Sequence, residues 1–270
     1  MNEVLFAFLL TIIAGLSTIV GALIVFFAKK TNTKFLAVSL GFSAGVMIYI
    51  SLVEILGASM EKLQGELGER QGMLFAIIAF FSGIAIIALI DKLIPSNSDP
   101  HDIVEISEFE PKDINNSENK AKLLRTGLFT ALAVTIHNFP EGLMTFIAAL
   151  QDPSIAIPIV FAIAIHNIPE GIAVAAPVYY STGSKKKAFV VTALSGLSEP
   201  VGALIGYLIL MPFMNEVVFG MIFAGIAGIM VFISFDELLP SAREYGEHHL
   251  SIYGLVSGMA VMAMSLWLFV

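Results

Sequence analysis

The chain has 270 residues, 57% hydrophobic and only 13% charged, with a mean hydropathy of +0.88. A soluble domain carries about a quarter charged residues, so this composition argues against a soluble fold and for a chain that lives in a bilayer. The net charge of −8 has no basic stripe, which excludes a nucleic-acid binder, and the absence of cysteine excludes disulfides and thiolate metal sites.

Crossing the hydrocarbon core takes about 20 apolar residues, and runs of that length recur along the whole chain. They predict helix 1 over 4–28, helix 2 over 35–58, helix 3 over 72–93 and helix 4 over 126–150. Helix 5 follows over 153–180, helix 6 over 188–214, helix 7 over 217–239 and helix 8 over 250–270. The first run is too long for the core of a cleavable signal peptide, and no basic residue precedes it. Between helices 3 and 4 lies a polar stretch holding Asp99, His101, Asp102, Glu105, Glu108, Glu110, Asp113 and Glu118. It reads as a solvated linker rather than a metal-capturing segment. His248 and His249, after helix 7, read as a solvated loop pair.

Twelve of the 14 basic residues fall in alternate connections. They are Lys29, Lys30 and Lys34; Lys92, Lys112, Lys120, Lys122 and Arg125; Lys185, Lys186 and Lys187; and Arg243. Only Lys62 and Arg70 lie on the other side. The positive-inside rule then places these connections in the cytoplasm and both termini outside. The compact chain fits the inner, plasma membrane of a prokaryote.

The chain repeats itself. Gly15-Leu-Ser-Thr-Ile-Val-Gly-Ala-Leu-Ile24 of helix 1 matches Gly196-Leu-Ser-Glu-Pro-Val-Gly-Ala-Leu-Ile205 of helix 6 at eight of ten positions. Gly45 to Glu54 of helix 2 aligns with Gly228 to Glu237 of helix 7. Five helices separate the copies, an odd number, so they cross the membrane in opposite directions. The expected fold is an all-α integral membrane protein with eight transmembrane helices in a 3+2+3 inverted-repeat arrangement. The first repeat takes residues 1–94, an acidic cytoplasmic loop 95–122, helices 4 and 5 residues 123–182, and the inverted second repeat 183–270. Inverted repeats belong to transporters, whose substrate sites lie near the midplane where the halves meet.

Helices 4 and 5 carry the costly residues. His-Asn-Phe-Pro-Glu-Gly runs from His137 to Gly142, and His-Asn-Ile-Pro-Glu-Gly from His166 to Gly171. A charge at a helix centre costs roughly 2.5–3.5 kcal/mol, so two copies imply one buried polar site. Positions i and i+4 share a helix face, so His137 and Glu141 point one way on helix 4, as do His166 and Glu170 on helix 5. Two imidazoles and two carboxylates suit a borderline divalent cation such as zinc or ferrous iron. Asn138 and Asn167 add neutral amide oxygens. Pro140 and Pro169 cannot donate to the carbonyls of Ile136 and Ile165, which should kink the helices and free backbone oxygens. Glu199-Pro200 of helix 6 stands where helix 1 has Thr18-Ile19, so the symmetry breaks at a carboxylate that should face the two motifs. Glu54, Asp236 and Glu237 lie nearer helix ends, where they reach water or relay metal at the mouths of a pathway.

These motifs resemble those of the ZIP family, the Zrt- and Irt-like metal transporters, and within it the bacterial ZupT-type zinc-uptake branch. The likeness covers essentially the whole chain. It implies a two-metal centre, with His137, Glu141, His166 and Glu170 at one metal and Asn138, Asn167, Glu170 and Glu199 at the other, Glu141 bridging. It implies import of zinc as cargo, with iron, manganese, cobalt and cadmium within range and no resident cofactor. It also implies a homodimer, and an elevator in which helices 1, 4, 5 and 6 carry metal past a scaffold of helices 2, 3, 7 and 8. The one-histidine loop departs from the His-rich loops of many members. Two rivals use the same site. An intramembrane metalloenzyme would be expected to show His-Glu-x-x-His, which is absent. A metal exporter would have the same residues.

Overall fold

The computed structural model describes residues 3–27, 33–93, 117–151, 153–244 and 248–269. Every regular element among them is helical, as lipid demands of backbone that must satisfy its own hydrogen bonds. Helix 1 is Glu3–Phe27, helix 3 Glu69–Leu93, helix 4 Ser117–Gln151, helix 5 Pro153–Thr182 and helix 8 His248–Phe269. Helix 2 is composite: an α-helix Thr33–Tyr49, a π-helical segment Ile50–Ile55 and an α-helix Leu56–Leu67. Helix 6 is broken into Lys185–Gly196 and Ser198–Leu210, with a 3-10 turn Met211–Phe213 behind it. Helix 7 is again composite: Glu216–Ile233, a π-helical segment Ser234–Leu238 and Leu239–Glu244.

Seven of the described helices are long and apolar enough to span a membrane by length and composition. Helix 4 is long enough at 35 residues. Its apolarity is diluted by the charged residues of its first turns and by His137, Asn138 and Glu141.

The inverted repeat is visible in the packing. Helix 2 packs along helix 8 and helix 3 along helix 7; helix 1 packs along helix 5 and helix 4 along helix 6. Exchanging 1 with 6, 2 with 7, 3 with 8 and 4 with 5 maps this set onto itself. The π-helical segments obey the same exchange, since Ser51 and Glu54 align with Ser234 and Glu237. A third pair of matching sequences then emerges. Ser82-Gly-Ile-Ala-Ile-Ile-Ala88 of helix 3 aligns with Ser257-Gly-Met-Ala-Val-Met-Ala263 of helix 8. Only small residues survive there, because they let helices close in lipid. With so few shared letters, the third match escapes the sequence alone.

The closest approaches fall beside the polar motifs. A Cβ on Gly142 would run into the backbone oxygen of Glu199, and one on Gly171 into that of Thr18, the repeat-equivalent residue. Glycine therefore brings helices 6 and 1 against helices 4 and 5 on either side of one centre. The outer faces carry exposed Leu, Ile and Phe on nearly every helix, down to Leu208 and Trp267, as a lipid-facing surface should.

Three boundaries differ from the sequence expectation. Helix 2 continues to Leu67 instead of ending near 58, because its polar end is amphipathic. Ser59 and Leu63 are buried there, and Ser59 donates to the Gly220 carbonyl at 2.7 Å. Gly68, with φ +82°, ends it. Helix 4 begins at Ser117, so residues 117–122 of the expected loop are helical; the acidic residues Asp99 to Asp113 lie outside the described residues. His248 and His249 start helix 8 rather than forming a loop, and the exposed His249 ring stacks on Tyr253. A local prediction follows for the helix 2 extension. Leu63→Ala is expected to cost about 2–4 kcal/mol of stability, since the side chain is fully buried. Lys62→Ala, which removes a half-exposed pair with Glu216, is expected to cost well under about 1 kcal/mol. Thermal unfolding in detergent separates the two.

Candidate metal centre

All seven residues singled out by the motifs are buried. His137 is 1% exposed, and Asn138, Glu141, His166, Asn167, Glu170 and Glu199 are 0% exposed. Helices 4 and 5 remain helical through Pro140 and Pro169. Helix 6 breaks at Leu197, two residues before Glu199. The repeat copy in helix 1 has Ile19 in place of Pro200 and stays continuous. The break is what proline does in a helix interior, where the preceding turn loses a donor.

The imidazoles and carboxylates meet across the helix pair. His137 Nε2 lies 2.9 Å from Glu170 Oε2, and His166 Nε2 lies 3.3 Å from Glu141 Oε1. Each histidine thus pairs with the carboxylate of the other motif, not with the one four residues along its own helix. Antiparallel helices related by a two-fold axis produce this crossing. The pairs also act on each other: Glu141 and Glu237 lie within electrostatic reach of His137, and Glu141 and Glu170 within reach of Glu199. Among the described residues no three His, Asp or Glu side chains are gathered in ligating geometry. The four side chains form two crossed pairs.

The asparagines follow the symmetry as well. Asn138 Nδ2 donates to the Ser195 carbonyl at 3.4 Å, and Asn167 Nδ2 to the Ala14 carbonyl at 3.2 Å. Ser195 and Ala14 are repeat equivalents. Asn167 Nδ2 also donates to Glu199 Oε1 at 2.5 Å, which brings the helix 6 carboxylate against the helix 5 motif. With both amide nitrogens turned to carbonyls, Asn138 Oδ1 and Asn167 Oδ1 make no hydrogen bond among the described residues. Neither do His137 Nδ1, His166 Nδ1 and Glu199 Oε2. Buried polar atoms without partners are costly; the amide and carboxylate oxygens among them, and each Nδ1 of a neutral imidazole, are lone-pair donors suited to a divalent cation.

Ser43 was missed at the sequence level. This buried helix 2 residue donates to Glu170 Oε1 at 3.0 Å, with the His166 carbonyl at 3.3 Å. The available signal was Ser39 and Ser43 four residues apart, one face of an otherwise apolar helix. Glu54 and Glu237 both sit half-buried in the π-helical segments.

Comparison with known proteins bears on the same residues. A family model described as ZIP zinc transporter matches residues 96–266. A Streptococcus mutans protein named zinc transporter ZupT is 59% identical over 271 residues, covering all of both chains. The proteins of that name from Clostridium perfringens and Chlorobaculum parvum are 57% and 55% identical, each over at least 98% of both chains. With a matching family model, full-length relatives above half identity and an inverted repeat closed on two buried His–Glu pairs, this multi-pass membrane chain belongs to the ZIP family of zinc transporters, a transporter family rather than an enzyme family.

Proposed function

We propose that this chain imports zinc across the inner membrane through the polar centre of helices 4, 5 and 6. The observation that carries the reading is the burial of all seven motif side chains where the halves of the inverted repeat meet. The ligands are His137, Asn138, Glu141, His166, Asn167, Glu170 and Glu199. Metal entering the site takes over the carboxylates from the crossed His–Glu pairs, so ligation replaces interactions that already keep the empty centre tolerable in lipid. A donor set of nitrogen and carboxylate oxygen accepts iron, manganese, cobalt and cadmium beside zinc. Glu54 and Glu237, at equivalent positions of the two repeats, serve as relays on opposite sides of the site.

Two packed bodies support movement of the elevator kind. Every close approach at a glycine among the described residues joins helices within the set 1, 4, 5 and 6 or within the set 2, 3, 7 and 8. Between the sets, helix 2 and helix 8 meet helix 5 and helix 7 meets helix 4, with no glycine among the described residues bringing backbone against backbone there. Such seams slide more readily than backbone locked on backbone. The distribution of basic residues supports external termini, and a homodimer is part of the same reading, which crosslinking in native membranes tests.

Zinc uptake into proteoliposomes carrying an internal zinc indicator tests the function. Saturable uptake that collapses in His137→Ala and Glu141→Ala is expected. Absence of wild-type flux, with zinc still bound at these residues, would sink facilitated import.

Acid should weaken uptake. Imidazole and carboxylate bind metal in their deprotonated forms, so protons compete with zinc and apparent affinity falls as pH drops. Lowering external pH from about 7 to about 5 is expected to raise the apparent KM. Excess zinc should restore most of the rate, and a loss that zinc cannot restore would contradict the competition.

A further inference from the structure

The repeat relates the two halves of the polar centre, yet the surrounding helices do not hold them alike. Ser43 of helix 2 donates to Glu170 Oε1 at 3.0 Å. Its single hydroxyl proton is best used there, since the acceptor is a carboxylate and the alternative, the His166 carbonyl, lies farther at 3.3 Å. With Gly45 aligned on Gly228, the repeat equivalent of Ser43 is Ile226 of helix 7, buried and apolar. Helix 7 meets helix 4 at the corresponding place, but less extensively than helix 2 meets helix 5. One of two equivalent carboxylates therefore receives a hydroxyl from the second body. The other, Glu141, has its longer contact to His166.

We propose that Ser43 is a latch: a positioning residue that ties helices 1, 4, 5 and 6 to the second body in the state described here, and that zinc releases by taking Glu170. The proposal rests on the carrier reading above. In an inverted-repeat carrier the opposite end state exchanges the roles of the repeats. Helix 7 would then stand to helix 4 as helix 2 now stands to helix 5, with Ile226 offering no hydroxyl. The latch thus favours one end state of the empty carrier, and it lets go when the carboxylate turns to metal. Its contribution is a difference between states, which is what shifts a population. A hydrogen bond to a charged group is strong enough to move that equilibrium about tenfold.

The chain lacks cysteine, so introduced thiols report cleanly. Val46 and Ala162 line one crevice between helices 2, 5 and 8. In full-length Val46→Cys/Ala162→Cys protein, a short bifunctional thiol reagent captures the present state. Adding Ser43→Ala is expected to shift the metal-free equilibrium about tenfold away from the captured state, and Ser43→Thr, which keeps the hydroxyl, to restore it. Zinc should lower capture in the Ser43 protein and change the Ser43→Ala protein little. Ile226→Ser, a counter-latch, should also lower capture. In uptake assays Ser43→Ala should alter KM more than maximal rate, which a general packing defect would not do. Equal capture and equal zinc response with and without the Ser43 hydroxyl would overturn the latch. If Ser43→Ala does not fold, unchanged capture in Ile226→Ser overturns it instead. Capture that follows Ser43 in a protein with no zinc flux would uphold the latch and remove the import reading. Normal flux with capture indifferent to Ser43 would do the reverse.

Discussion

Glu170→Gln is expected to abolish zinc uptake while leaving the fold intact. The substitution is nearly isosteric, and its amide oxygen can still accept from Ser43, now at 3.0 Å from Oε1. What it removes is the negative charge beside His137 Nε2, 2.9 Å away, and with it the anionic ligand a divalent cation needs. Loss of groups that only support a metal ligand costs about 10- to 100-fold in affinity, so loss of the ligand's own charge should exceed about 100-fold. Glu199→Gln should be milder, because Glu199 Oε1 already accepts from Asn167 Nδ2 and glutamine keeps that acceptor. It should also separate stability from function. The two imidazoles pair with Glu170 and Glu141, so Glu199 is the buried carboxyl without an imidazole partner, and an amide in its place relieves the empty protein. Glu199→Gln is therefore expected to raise the unfolding temperature without metal and to shrink the increment that added zinc provides. Thermal unfolding with and without zinc, beside uptake, decides this. A Glu170→Gln protein that transports normally would remove this carboxylate from the site.

The two hexapeptides make the centre legible in the sequence because each contains residues that lipid tolerates only for a purpose. The repeat of helices 1 and 6 then singles out Glu199, as the one carboxylate standing where the symmetry copy has threonine. Periodicity assigns a residue to a face, however, and not to a partner. That is why His137 and Glu141 could be placed on one side of helix 4 while the crossed pairing with helix 5 could not. Ser43 was hidden for a related reason: serine in a membrane helix usually satisfies itself on its own backbone, as Ser17 and Ser195 do here. The π-helical segments escaped because one extra residue per turn leaves no mark on an apolar stretch. The end of helix 2 escaped because hydropathy stops at the lipid boundary, whereas Ser59 and Leu63 continue to pack beyond it.

Gly142→Ala and Gly171→Ala are expected to be equally hard to pack and unequal in function. Each adds one methyl where the facing atom is a backbone oxygen, of Glu199 and of Thr18 respectively. Backbone cannot swing aside as a side chain can, so helices 4 and 6, or 5 and 1, must separate. Overpacking of this kind costs about 1–3 kcal/mol, and both variants should lose thermal stability to a similar degree. Their partners differ in what they hold. Pushing helix 6 off Gly142 displaces Glu199 and with it the bond to Asn167 Nδ2. Pushing helix 1 off Gly171 displaces Thr18, whose hydroxyl makes no hydrogen bond among the described residues. Gly142→Ala should therefore lose most of its zinc affinity, and Gly171→Ala considerably less. Gly57→Ala, where no described residue lies within 4 Å, provides the control: it should leave uptake unchanged and, at an exposed helical position, raise stability by at most about 1 kcal/mol. If Gly171→Ala proved the more damaging of the pair, Glu199 would not be the reason helix 6 must sit so close, and the asymmetric role given to it would have to be withdrawn.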